Sequence, residues 1–166
     1  MPRQKTQTEK NTPKVADKKS KQHTSFYEGV GRRKEASAIV RLYVISADSL
    51  TLNGKVIKKG ELFVNGRLME QYFPGEVNKK LYSEPFRTTN TVGRFTVSTV
   101  ITGGGTSSQL GAFIHAVSRA LEKVDKEKFR PVLKKRGFLT RDDRIKERRK
   151  AGYAQKARAK KQSPKR

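Results

Sequence analysis

Cysteine is absent from all 166 residues, which excludes disulfide frameworks, thiolate metal sites and cysteine nucleophiles. The two histidines, His23 and His115, are too few and too far apart for a recognisable zinc site. No metal and no cofactor is expected. No run approaches the roughly 18 apolar residues of a spanning helix, and the N-terminus lacks the apolar middle region of a secretory signal. The expectation is a soluble intracellular chain with no membrane partner. Acidic residues are also scarce: 15 Asp and Glu face 39 Lys and Arg, a formal net charge of +24. Self-repulsion of that size calls for a polyanionic partner.

The charge is carried mostly at the ends. Residues 1–24 hold +5, residues 25–136 hold +10, and the last 30 residues hold +9. Residues 1–24 contain one internal apolar pair, Val15 and Ala16, and read as a disordered basic extension unable to bury enough surface to offset its ordering entropy. A transit peptide is the alternative there, since the segment is basic and Thr-rich, but it lacks the spaced Leu and aromatic residues of an amphipathic targeting helix. Residues 25–137 read as a single α/β domain. Residues 138–166 read as an extended basic tail, with 12 Lys and Arg against three acidic residues and only isolated apolar ones. A turn of helix from Thr140 through Lys150 can start there, ordered only against something negative.

Within the domain, Ala36, Ala38, Val40, Leu42 and Val44 alternate with Ser37, Ile39, Arg41 and Tyr43, a strand period. Leu62, Phe63 and Val64 precede Asn65-Gly66, a dipeptide that tolerates positive φ and predicts a tight turn into a further extended run at 68–73. Phe95, Val97 and Thr99 alternate with Arg94, Thr96 and Ser98 in another strand. After Gly103-Gly104-Gly105, the residues Leu110, Phe113, Ile114, Val117, Leu121 and Val124 fall at helical spacing, with Ser107 or Ser108 as cap. A second short helix is predicted from near Pro131 to Gly137. Helices packed on a small sheet give a two-layer α+β sandwich.

Several features suit phosphate. Arg32, Arg33 and Lys34 directly follow Gly29-Val30-Gly31, and the glycines are read as letting the backbone approach a phosphate ribbon; a solvated basic hairpin is the bland reading. The loop of Gly103, Gly104 and Gly105 before a helix offers free N–H groups and a favourable dipole end, although a tight strand-to-helix turn explains it equally well. Phe26, Tyr27, Tyr72 and Phe73 are able to stack on bases, but core packing is favoured for them. The strongest signal is the tail: Arg141, Arg144, Lys146, Arg148, Arg149 and Lys150, then Lys156, Arg158, Lys160, Lys161, Lys165 and Arg166. A tail of this kind can enter crevices among phosphates and fold on binding, whereas mere solubilisation is served as well by acidic residues.

Residues 27–42 (YEGVGRRKEASAIVRL), the Val-Asn-Gly-Arg and Tyr-Phe-Pro within 62–74, the triple-glycine loop with Gln109 and Gly111-Ala112, and residues 133–144 (LKKRGFLTRDDR) resemble, in collinear order, the bacterial-type small-subunit ribosomal protein nine family. Lys156-Ala157-Arg158, Gln162 and Lys165-Arg166 are similar to that family's ending. The resemblance covers about residues 25–166. It implies a mixed sheet of about four strands of the ribosomal-protein domain-2 type, resting on ribosomal RNA of the small-subunit head beside neighbouring head proteins. It also brings Lys134, Lys135 and Arg136 into the RNA-binding set. Under the same resemblance the tail reaches the peptidyl-tRNA site, with Lys165 and Arg166 against anticodon-stem phosphates, on a ribosome of the bacterial cytoplasm rather than of an organelle. Three departures stand out. Ser163-Pro164 replaces the usual Phe-Ser before the final Lys-Arg, the segment 45–60 with Asn53-Gly54 is longer than the usual connection, and residues 1–24 lie outside the match.

Two other classes compete. A nucleoid-type DNA-binding protein would use the same charge and bind duplex DNA as well as RNA. A small-metabolite kinase would use the triple-glycine loop with nucleotide and Mg²⁺, but no acid, base and metal set accompanies that loop and no Gly-Lys-Ser/Thr follows it. No catalytic residue and no small-molecule substrate is assigned.

Overall fold

The structure is a computed structural model that describes residues 25–44, 49–52, 55–153 and 157–158. The expected disordered extension at 1–24 lies outside these residues. Strand β1 (Phe26–Arg33) pairs antiparallel with β2 (Ala36–Val44). After a two-stranded hairpin, β3 (Ser49–Leu52) with β4 (Lys55–Lys58), come β5 (Leu62–Val64) and β6 (Arg67–Leu68), then helices α1 (Met69–Tyr72) and α2 (Glu76–Thr88). Strand β7 (Phe95–Thr102), α3 (Thr106–Val124) and α4 (Lys126–Lys135) complete the domain. The main sheet runs β1-β2-β7-β5-β6, mixed because β5 lies parallel to β7. This is the expected α+β class, with five strands in the main sheet rather than about four.

The expected alternation in β2 holds: Ala36, Ala38, Val40 and Leu42 are buried beneath α3, and Ile39 and Arg41 are exposed on the other face. The last two residues depart from it: Tyr43 is buried and Val44 is exposed. Across the register, Val97, Thr99 and Ile101 of β7 continue the buried face. Helix α3 seats Phe113, Val117 and Leu121 there, all fully buried; each contributes roughly 1.5–3 kcal/mol. The segment 45–60 supplies the extra hairpin. The Thr96 hydroxyl pins its foot by donating to the Lys58 carbonyl (3.3 Å) and accepting from the Gly60 N–H (3.2 Å).

Several expectations are corrected. Gly29 and Gly31 do not face a phosphate ribbon. They are buried beneath α3, and a Cβ on either would lie 2.2 Å from the Ala116 carbonyl or 2.1 Å from that of Ala112. The turn at Asn65-Gly66 forms, with φ of 48° and 76°. The Asn65 amide then takes the place of a strand partner, bonding both the Ile101 carbonyl (2.9 Å) and N–H (3.0 Å). Beyond the turn the chain does not run extended over 68–73; it forms a two-residue strand and then the short helix α1, which drops Met69 into the core. Of the two serines proposed as caps, Ser108 acts, from inside the first turn: its hydroxyl accepts from the Gly105 N–H (3.0 Å) and donates to the Gly105 carbonyl (2.8 Å). Helix α4 starts five residues before Pro131, because the Asp125 carboxylate caps the Lys128 N–H at 3.1 Å. The chain alone forms no helix over 140–150, the stretch expected to coil only against something negative because its polar composition leaves no face to bury in protein. Helix α2 has no counterpart in the sequence reading: its interior Pro85 and polar surface mask a face of Tyr82, Pro85 and Phe86.

Candidate nucleic-acid interface

The cationic segments converge because of how the chain doubles back. The β1–β2 turn places Lys34, at φ 50°, at its tip. Beside it stands the triple-glycine loop, and Lys34, Glu35, Gly104, Gly105, Thr106 and Ser107 border one shallow groove. Gly103 and Gly104 are needed for shape: both have positive φ, and a Cβ on Gly103 would strike the Glu35 carbonyl at 2.4 Å. The strand-to-helix turn therefore accounts for these glycines, and it also puts the N-terminus of α3 and Lys34 on the same groove. An N-terminus carrying partial positive charge beside a lysine is a favourable place for an anion.

A second cleft runs between α2, the end of α4 and the start of the tail. At one end Lys80, Leu81, Glu84, Arg87, Thr88 and Arg136 line it; at the other, Leu81 and Glu84 again, with Arg32, Arg33, His115, Phe138 and Asp142. Arg32 and Arg33 are thereby joined to Arg136 along one surface. The sequence reading missed Lys80 and Arg87. The signal was a helical face at residues 82, 85 and 86, which would have placed both cations on a packed helix. Arg136 reaches toward Glu84 at 4.0 Å, a separation at which an exposed pair leaves the guanidinium largely free. Lys134 and Lys135 are exposed on the last turn of α4, where cations complement the helix dipole.

The tail leaves past Gly137. Phe138 and Leu139 pack against the core. Arg141 pairs with Asp143 at 3.3 Å, and Arg144 lies on Asp142. Lys146, Arg148, Arg149 and Lys150 are all exposed. Arg158 returns to Glu147, its Nε donating at 2.9 Å, and that hydrogen bond holds the Glu147 carboxyl below the usual carboxylate range. Lys156, Lys160, Lys161, Lys165 and Arg166 lie outside the described residues. Among the described residues no group of three or more His, Cys, Asp or Glu is arranged to hold a metal ion, and no helix is long and apolar enough to cross a membrane.

His115 is half-buried at the cleft wall, beside the Leu139 backbone. Burial, then the Arg119 and Arg141 charges, push its pKa below the ordinary histidine value of 6.5. The neutral ring is therefore favoured by folding. Stability associated with it is full above pH ~6.5 and is lost as pH falls from there through the folded pKa. We expect the His115 ring to titrate below an unfolded histidine by NMR, and a His115→Gln protein to show less loss of stability between pH 7 and 5 than the parent.

A basic α+β domain with a cationic cleft and a cationic tail has the surface of a polyanion-binding protein. The chain belongs to the ribosomal protein S9/S16 family, whose model matches residues 31–166. It is 47% identical over 123 residues, 74% of this chain, to the "Small ribosomal subunit protein uS9" of Leifsonia xyli subsp. xyli, spanning 66% of that protein's length, just under two thirds. It is 42% identical over 144 residues, 86% of this chain, to the protein of the same name of Cutibacterium acnes, spanning 76% of its length.

Proposed function

We propose that the domain binds ribosomal RNA of the small-subunit head along the cleft and the groove beside Lys34, and that the tail continues this contact toward the tRNA in the peptidyl site. As a member of its family the chain is a structural constituent of the small ribosomal subunit and not an enzyme. The observation that carries the RNA reading is the cleft: β1, α2 and α4, distant in sequence, deliver Arg32, Lys80, Arg87 and Arg136 to one surface. Phosphate contacts of this kind position a protein without reading sequence. Neighbouring head proteins are the further partners of this reading.

Replacing Arg32, Lys34, Lys80 and Arg87 by Ala is expected to leave the fold intact, since all four are exposed, and to lower the log-log salt slope of binding to small-subunit RNA by roughly one unit for every phosphate no longer neutralised. An unchanged slope would remove the cleft from the interface. For the tail's far end, deletion of residues 163–166 is expected to spare incorporation into small subunits and to raise the dissociation rate of peptidyl-site tRNA modestly, because that site holds tRNA through many other contacts. Equal dissociation rates at low and physiological salt would leave the tail as an anchor on ribosomal RNA alone.

A further inference from the structure

We infer that Asp142 positions the basic tail, by latching onto Arg33 and so fixing the direction in which the chain leaves the domain. Gly137, at φ 76°, reverses the chain, with its own N–H on the Lys134 carbonyl (3.0 Å) and that of Phe138 on the Leu133 carbonyl (3.1 Å). Phe138 and Leu139 then seat against the core. The next apolar residue, Ile145, is 59% exposed, so packing sets no direction beyond Thr140. Asp142 supplies it. Its Oδ2 lies 3.0 Å from Arg33 Nη2 in an ion pair, while Arg144 donates to the same carboxylate from Nε (2.9 Å), Nη2 (2.8 Å) and its backbone N–H (3.1 Å). One carboxylate thus ties the strand β1 to the first tail cation that follows it. Hydrogen bonds from Arg144 first, with the Arg33 charge adding to them, hold that carboxyl well below the usual range.

The fold is cut to admit the latch. Arg33 reaches Asp142 by crossing α3 at Gly111, where a Cβ would lie 2.4 Å from Arg33 Cδ. The chemistry also explains an acid in a segment that meets phosphates: turned outward, Asp142 would repel them, and turned inward it is spent on Arg33. Of the three adjacent cations after Gly31, Arg33 therefore serves the tail, and Arg32 and Lys34 remain for the RNA.

The inference rests on the RNA reading above, and the test separates the two. Because the chain has no cysteine, an Ala151→Cys protein carries a single iron–EDTA group on the exposed tail, and hydroxyl radicals from it cut nearby RNA in reconstituted small subunits. The parent tether should cut one short stretch. Asp142→Asn and Arg33→Gln should each spread the cuts and lower the main one by about two- to fivefold, the loss expected for a partly exposed ion pair. The double variant should do no more than Asp142→Asn alone, since that change already removes the ion pair that Arg33→Gln removes. Gly111→Ala, which displaces Arg33 without changing charge, should match them, and Asp143→Asn should not. A focused parent pattern that Asp142→Asn leaves unaltered would overturn the latch and keep the RNA reading. No cuts from the parent tether would overturn the RNA reading, and the latch as an aiming device with it.

Discussion

A Gly31→Val protein is expected to be unfolded or insoluble where the parent is folded, with a loss of more than about 3 kcal/mol. Helix α3 lies on β1 backbone to backbone. Even a methyl at Gly31 would sit 2.1 Å from the Ala112 carbonyl and 2.4 Å from the Ala116 backbone nitrogen. Neither atom can yield without moving a helix that carries Phe113, Val117 and Leu121 into the core. The small residues Ala112, Ala116 and Ala120 line the same contact from the helix side and leave no slack. Gly105→Ala is the matched comparison: its φ is −109° and nothing lies within 4 Å of an added methyl, so its midpoint of urea unfolding should stay near that of the parent. Equal midpoints for both variants would contradict this packing.

The second large effect lies in binding. Lys146, Arg148, Arg149 and Lys150 are exposed cations on a stretch with no regular structure, so replacing all four by Gln should leave the unfolding midpoint unchanged. Counterion release makes each neutralised phosphate worth about four- to fivefold in binding at ~0.15 M salt, so removing four such cations predicts a weakening on the order of a few hundredfold. The measurement is RNA affinity across a salt series. Parent and variant should converge as salt rises, because the missing contribution is itself the salt-dependent one. A constant ratio at all salt concentrations would mean that these cations act other than through phosphates.

What could be read from the sequence divides by physical cause. Strands β2 and β7 and helix α3 are legible because over most of each one face is buried more deeply than the other, which leaves a period of two or of 3.6 in the residues. Strand β1 is not: two of its buried positions are glycines, chosen for closeness to α3 and carrying no hydrophobic signal. Helix α2 was hidden by Pro85 and by its polar exterior, and with it went Lys80 and Arg87. Pro131 suggested a helix start, yet the Asp125 cap begins α4 earlier and the proline sits in its interior. For the candidate interface, charge density marks the tail, and the triplet after Gly31 has the pattern of a single patch. Only the fold shows that Arg33 turns to Asp142 and that Lys34 stands by the triple-glycine loop. A long-range ion pair leaves no local pattern to read.

On the reading proposed above, this chain works as part of the small ribosomal subunit and is held there through RNA phosphates. Sucrose-gradient fractionation of an extract from cells expressing the tagged protein tests that most directly. The protein is expected to sediment with small subunits, to stay with them after DNase treatment, and to be released by RNase or by high salt. Recovery at the top of the gradient at low salt, or loss from the particles on DNase treatment alone, would contradict it.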